Sequence, residues 1–220
     1  MTTIAEHGGL LGEISTNQIG EVFTVRDITI ETENDAHTER VAQAVRQLEG
    51  VELIHMLDQV FACHQGGKLH STSRVALREL SDLRHIYTPG VARVAKAIEK
   101  DPQLAWTLTG VGNSVGIFTN GTRVLGLGDI GALASLPVME GKAVLYDQLA
   151  KISATPILVD TRDPDEFVET VMRLAPGFGA IHLEDIRTPD CFYIEEQLQA
   201  RLQKPVLHDD QHGTATAALA

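Results

Sequence analysis

Gly179-Ala180-Ile181-His182-Leu183-Glu184-Asp185 and Pro205-Val206-Leu207-His208-Asp209-Asp210-Gln211-His212-Gly213 are the stretches whose reading decides the fold. Each begins as a short apolar run, the pattern of a buried strand, and ends in adjacent acids. A third run, Pro156-Ile157-Leu158-Val159-Asp160, ends the same way. Helical patterns separate them: Met139–Ile152 before the first run, Pro164–Leu174 and Pro189–Leu202 between, and Thr214 onward after the last. Such alternation implies an α/β architecture, a mainly parallel sheet flanked by helices. Ligands of such sheets sit in the crevice beyond the carboxyl ends of the strands. Carboxylates gathered there repel one another unless a cation, a proton or a basic side chain neutralises them. The simplest explanation is a divalent metal on oxygen ligands. Acids after strands also serve as helix caps, which suits Asp160 and Asp185. Two successive acidic pairs, however, favour the metal.

The 220 residues suit one large domain, or one ordinary domain with a small one, and 43% hydrophobic content is ample for a core. A net charge of -12, with no basic stripe, argues against nucleic acid as a partner. No apolar run approaches the roughly 20 residues of a membrane helix. The N-terminus has no signal-peptide pattern. Cys63 and Cys191 are far apart and lack metal spacing, so free thiols in a cytoplasmic protein are expected.

Upstream, residues 1–84 have the pattern of a small α+β unit. Expected here are a helix over Leu10–Ile19, a strand over Val22–Glu31, and a helix capped by Asp35 with Val41, Ala44, Val45 and Leu48 on its apolar stripe. Val51–Cys63 is a strand candidate, and the turn Gln65-Gly66-Gly67-Lys68 leads to another. His7, His37, His55, His64 and His70 lack ligand spacing. From Val75 the pattern changes. Ser81 caps a helical segment that Pro89 interrupts before Val91–Glu99, and Asp101-Pro102 starts a further helix with Trp106, the only tryptophan. Val115–Thr119 and Arg123–Leu127 read as strands joined by the hairpin signal Asn120-Gly121. The last residues continue a helical pattern, so a further domain is expected beyond Ala220.

Gly126-Leu127-Gly128-Asp129-Ile130-Gly131 fits a dinucleotide fingerprint. Pro137 interrupts the helix that should follow, and the one acid at the expected distance, Asp147, lies in a helical pattern. A tight glycine-rich loop is the better reading. Lys142 falls on the inward face of a helix whose stripe is Val138, Leu145, Leu149 and Ile152. Its stem could merely pass along the core. Desolvation, though, lowers a lysine pKa and makes a base usable near neutral pH. His208 and His212 have zinc-like spacing, but Gly213 and the strand end argue against one helix carrying both. Composition would single out neither Tyr87 nor Arg123.

Five segments in order, Tyr87-Thr88-Pro89-Gly90-Val91-Ala92, Leu125–Gly131, Pro137-Val138-Met139-Glu140-Gly141-Lys142, Leu183-Glu184-Asp185-Ile186 and His208–Ala215, resemble the bacterial malic enzymes. The resemblance covers residues 85–220 as the family's N-terminal substrate and metal domain, and likens residues 1–84 to an ACT-type regulatory module. It implies oxidative decarboxylation of malate to pyruvate and CO₂ with NAD or NADP, dependent on Mg²⁺ or Mn²⁺, in a cytoplasmic homodimer. By position, it makes Tyr87 the general acid and Lys142 the general base. Glu184, Asp185 and Asp210 become the metal carboxylates, Asp209 a supporting acid, and Arg123 a contact for a malate carboxylate. Without the cofactor domain the chain is expected to be nearly inactive. The rival expectation is a non-catalytic fragment whose ACT-like part binds a small effector and mediates pairing.

Overall fold

A computed structural model describes residues 1–220, which divide into two compact units, Met1–Ala62 and Cys63–Ala220. In the first, α1 (Thr2–Glu6) precedes a pair of antiparallel strands, β1 (Leu10–Ile19) and β2 (Thr24–Glu31), and then α2 (Asp35–Arg46). The helix expected over Leu10–Ile19 is therefore a strand. Ile14 and Ile19 flank Ser15, Thr16 and Asn17, residues of modest helix propensity, and pairing with β2 decides the conformation. The cap of α2 is Asn34, whose side chain accepts from the His37 backbone N–H at 3.0 Å, so Asp35 is the first helical residue. Residues 51–58 form no strand, and α3 (Gln59–His64) follows them. Besides Gly9, only Ile4, His37, Val41 and Ala42 are buried before Ala62. A βαββαβ module would have four strands; this unit has two.

The second unit begins with short helices, α4 (Leu83–Ile86), α5 (Val91–Lys100) and α6 (Ala105–Leu108), none of which buries a residue. The alternating part then runs β3 (Ser114–Thr119), α7 (Ala132–Leu145), β4 (Ser153–Leu158), α8 (Pro164–Leu174), β5 (Ala180–Leu183), α9 (Asp190–Arg201), β6 (Val206–His208) and α10 (Thr214–Leu219). The four strands pair in parallel in the order β4-β3-β5-β6. Chain order reverses beside β3: the chain steps one way to β4, then crosses to β5 on the other side.

Period-two alternation sends successive strand residues to opposite faces. Val115 and Ile117 pack with Met139 and Ala143 of α7. Phe118, Ile181 and Leu183 pack with Phe167 and Val171 of α8 and Ile194 and Leu198 of α9. A sheet covered on both faces explains why these runs are almost continuously apolar. Pro164 opens α8, and Asp163, not Asp160, caps it, accepting from the N–H groups of Asp165 and Glu166. Cys63 and Cys191 form no disulfide, and no helix is long and apolar enough to cross a membrane.

Two expectations in the middle of this unit change. Arg123–Leu127 is not a strand; a single antiparallel bridge, Val124 to Gly128, closes a tight loop. The helix after Gly131 does form at once, with Pro137 inside it. At the sixth position Pro137 lacks the N–H that would bond the Leu133 carbonyl, and the packing of Ala132, Ser135, Met139 and Ala143 outweighs that loss. The buried stripe of α7 is Ala132, Ser135, Met139 and Ala143, while Val138 and Leu145 are exposed, so Lys142 borders the packed face instead of sitting within the expected one. With no strand in front of it, the glycine-rich loop is not a dinucleotide turn.

Candidate active site and metal centre

The site lies past the C-terminal ends of β5 and β6, where the loop after β3 folds back on them. Thr119 Oγ1 accepts from the Gly121 N–H, and Asn120 Oδ1 accepts from both the N–H and the hydroxyl of Thr122. Gly121 has φ +64° and its Cα faces the Gly131 carbonyl so closely that any Cβ would overlap it. The loop then reaches the end of β5: Thr122 Oγ1 accepts from the Arg187 N–H, and the Arg123 N–H donates to the Asp185 carbonyl at 3.0 Å. On its other side the Asp185 N–H donates to Asp210 Oδ2 at 2.9 Å. Gripped at both ends, Asp185 adopts φ +55°, a left-handed conformation that aspartate tolerates better than most residues.

Here three acids meet. Glu184, Asp185 and Asp210 bring one carboxylate oxygen each within 4.8 Å of one another. Glu184 and Asp185 are buried, and Asp185 Oδ2 has no hydrogen-bond partner. Burial first, then the charges of Asp210 and Glu184, push the Asp185 carboxyl up to about 7. An orphaned, desolvated carboxylate oxygen aimed among two further acids is the donor set a hard divalent cation takes. Glu184, Asp185 and Asp210 therefore fit a Mg²⁺- or Mn²⁺-type ion.

Lys142 faces the same hollow. Its Nζ lies 2.6 Å from Asp209 Oδ2 and 3.2 Å from Glu184 Oε1. Burial alone would lower its pKa, but the hydrogen bond to Asp209 and the Glu184 charge outweigh it, and the ammonium is held above its ordinary value. The expectation of a depressed lysine pKa is thus reversed in this ion-free arrangement. Reciprocally, burial works against ionisation of Asp209 but Lys142 prevails and holds it below the usual carboxylate range. Asp209 occupies its place because Gly213 has no side chain, for a Cβ there would overlap Asp209 Oδ1.

Two expected site residues are not drawn in by side-chain contacts. Tyr87 is 68% exposed, and no hydrogen bond, ion pair or ring contact joins its side chain to the cluster. Arg123 touches the site through its backbone N–H, its side chain being exposed. His208 and His212 do not form a ligand pair: His208 ends β6 fully buried and His212 bonds Glu195 Oε2 at 2.9 Å. Both ring nitrogens of His208 are buried without hydrogen-bond partners, Nδ1 standing 3.9 Å from Asp210 Oδ2, and burial outweighs the nearby acids to lower its pKa.

His182 and Tyr146 were not singled out by the sequence reading, yet they line the same face. Tyr146 Oη lies 2.8 Å from His182 Nδ1, and His182 Nε2 makes a very short contact with Glu184 Oε2. The available signal was spacing: His182 is two before Glu184 on a strand, and Tyr146 four after Lys142 on a helix. A shallow depression of about 650 Å³ beside α8, lined by Asp160, Thr161, Glu166, Glu169 and Arg173 among others, lies apart from this cluster.

Residues 67–199 match the family model described as malic enzyme, N-terminal domain. The whole chain aligns at 50% identity with the NAD-dependent malic enzyme 1 of Bacillus subtilis, of which it spans 50%. Over 154 residues, 70% of this chain, it is 52% identical to the NADP-dependent malic enzyme of Escherichia coli, spanning 20% of that protein. Among solved structures, the NAD-dependent malic enzyme of Thermotoga maritima superposes with a TM-score of 0.71 at 40% identity, over 74% of this chain and 46% of that one. The malic enzyme of Pyrococcus horikoshii gives a TM-score of 0.69 at 46% identity, over 70% and 35% of the two chains. This chain therefore spans half or less of these relatives.

Proposed function

The chain belongs to the malic enzyme family, and on that premise we propose that it forms the malate- and metal-binding half of an NAD(P)-dependent oxidative decarboxylase yielding pyruvate and CO₂. The observation that carries the reading is the meeting of Glu184, Asp185 and Asp210, with one buried oxygen of Asp185 left unpartnered beside Lys142. A divalent cation on those three carboxylates would polarise the hydroxyl and carboxylate oxygens of malate and relieve the charge that now holds Lys142 protonated. NAD(P), held by the cofactor half, would supply the acceptor for the hydride of C2.

The residues' own work is proton handling. Lys142, once neutral, takes the proton of the C2 hydroxyl as that carbon is oxidised to a carbonyl. Loss of CO₂ breaks the C3–C4 bond and leaves its electron pair in an enolate. Lys142 returns its proton to the enolate oxygen; as Tyr87 then delivers a proton to C3, Lys142 takes the enol O–H proton back, leaving the ketone pyruvate, and solvent reprotonates the Tyr87 phenolate. Asp209 takes over the Lys142 ammonium whenever the proton is there. Arg123 binds a malate carboxylate. The N-terminal unit takes no part in this chemistry; regulatory effector binding and homodimer formation are the roles the ACT-like reading leaves to it.

Manganese titration of this chain tests the reading. The parent should bind Mn²⁺, and Asp210→Asn should abolish binding while leaving the fold intact by circular dichroism. Equal affinity in both would remove the metal from the proposal. Joined to a cofactor half, the chain should turn over malate; full NAD-dependent activity of the 220 residues alone would contradict the division of labour.

A further inference from the structure

We propose that His182, with its tautomer set by Tyr146, is a positioning residue that holds Glu184 ready for the divalent cation, an inference resting on the metal reading above. The geometry is a two-rung ladder between α7 and β5. Lys142 lies on α7 and Tyr146 opens the irregular helical turn (Tyr146–Ala150) that continues it, four residues on, a rise of about 6.0 Å. His182 and Glu184 lie on the same side at the end of β5, two residues or about 6.6 Å apart. Because the two spacings match, each helix residue meets one strand-end residue: Lys142 Nζ stands 3.2 Å from Glu184 Oε1, and Tyr146 Oη 2.8 Å from His182 Nδ1. Along the strand side, His182 Nε2 bonds Glu184 Oε2.

For a neutral His182 ring beside an ionised Glu184, one proton arrangement satisfies every partner. A carboxylate only accepts, so the bond to Glu184 needs the proton on His182 Nε2. The neutral ring then has an accepting Nδ1, which the Tyr146 hydroxyl fills as donor. Burial, followed by the nearby Asp209 charge, raises the Tyr146 pKa and keeps that hydroxyl protonated. His182 is only 2% exposed, so no water competes for either nitrogen, and its ring also meets Tyr146 edge-on at 83°. The face of β5 carrying Ile181 and Leu183 is fully packed, whereas His182 points to the α7 face. An apolar residue there would satisfy packing. A histidine is polar at both ends, and its partners are a hydroxyl on one side and a metal carboxylate on the other. Partners behind metal ligands fix carboxylate orientation, and their loss costs about 10–100-fold in metal affinity or activity.

The test is Mn²⁺ affinity of this chain by electron paramagnetic resonance, with thermal unfolding as the fold control. His182→Leu should weaken binding about 10–100-fold. His182→Gln, whose amide nitrogen matches Nε2, should restore most of it at unchanged thermal stability. Tyr146→Phe should weaken binding by less than His182→Leu, and ¹⁵N spectra should show a protonated Nε2 and a bare Nδ1 on His182 of the parent. A folded His182→Leu chain binding Mn²⁺ within twofold of the parent, while Asp210→Asn loses it, overturns this inference and leaves the metal reading standing. Failure of His182→Gln to restore affinity also overturns it. A parent that binds no Mn²⁺ overturns both. Should His182→Leu not fold, Tyr146→Phe decides: affinity equal to the parent, with Nδ1 still bare in the parent, overturns the inference.

Discussion

The hollow beyond β5 and β6 and the helical run from Leu80 to Leu108 carry residues of the same proposed reaction, yet they are built differently. In the hollow, Glu184 and Asp185 are each within one or two residues of a buried strand, and Lys142, Glu184, Asp209 and Asp210 are tied to neighbours by hydrogen bonds or ion pairs, leaving one oxygen of Asp185 without a hydrogen bond. In the helical run, α4, α5 and α6 bury nothing, and Leu80, Ile86, Val91 and Trp106 are exposed along with Tyr87. Strand ends acquire their positions from the core. Short helices without a buried face have only their own backbone bonds to fix them, and such segments are marginal alone. Lys142 is thus positioned before substrate arrives, while Tyr87 depends on what packs against its helices.

The largest effects should come from proton transfer. In a full-length enzyme carrying this segment, Lys142→Ala and Tyr87→Phe should each lower kcat about 10²–10⁴-fold, measured at saturating malate. Stability should separate them: Tyr87→Phe removes an unbonded hydroxyl from an exposed ring and should lie within about 0.5 kcal/mol of the parent. A Tyr87→Phe enzyme turning over normally beside a dead Lys142→Ala would confine the chemistry to the hollow and end the role given to Tyr87. Core truncation should show the reverse split. Phe118→Ala, fully buried between β3 and the α8/α9 face, should cost about 3–5 kcal/mol in denaturant unfolding.

The two regions also differed in how far the sequence disclosed them. Pro164–Leu174 and Val206–His208 were legible to the residue, because a proline start, first-turn acids and short apolar runs have one common outcome in an alternating chain. Topology announced the two acidic pairs after the strands, and the family resemblance picked Glu184, Asp185 and Asp210 out of them. Leu10–Ile19 was misread because its polar interior gives no decisive period, and only the partner strand settles it. Asn120-Gly121 signalled a hairpin, but Asn120 uses its side chain to pin Thr122 and to donate to the Thr161 carbonyl, so the turn serves a loop. The pKa of Lys142 was misjudged because burial was weighed without its two carboxylate partners. The His182–Tyr146 pair needed the α7–β5 contact, which no single-element pattern contains.

Proton linkage gives an effect of intermediate size. The Asp185 carboxyl titrates near 7 when folded and near 3.8 unfolded, so between those values the folded state binds more protons. Its contribution is fully present below 3.8, is lost as pH rises towards about 7, and is flat above. The slope should approach about 1.4 kcal/mol per pH unit. Asp185→Asn cannot titrate, so the stability difference between parent and variant should drift by that amount across the window in metal-free buffer. Mn²⁺ must displace the same proton, so its affinity should rise up to about tenfold per pH unit below 7 and level off above it. A pH-independent difference would mean that Asp185 is ionised throughout and that the crowding of acids is relieved some other way.

Gly213→Ala probes the hollow most gently. Gly213 ends the irregular helical turn Asp209–Gly213 and has ordinary right-handed backbone angles, so alanine adds no backbone strain and slightly favours the helix. The added methyl nevertheless overlaps Asp209 Oδ1, and the carboxylate has to swing away from Lys142. Since Asp209 is partly exposed, the lost ion pair is worth about 1 kcal/mol or less, and helix propensity returns part of it. Unfolding free energy should therefore hardly change. Lys142 would keep Glu184 as its one carboxylate and lose its strongest hydrogen bond, so its pKa should fall towards the ordinary lysine value. Amine-reactive labelling of Lys142 at mildly alkaline pH, read by peptide mass, should be faster in Gly213→Ala than in the parent. The same substitution should leave labelling of Lys96 and Lys100 on α5 unaltered, because nothing in that open helical run leans on Asp209. Equal Lys142 labelling in both proteins would show that Glu184 alone holds the ammonium and that Asp209 is dispensable to it.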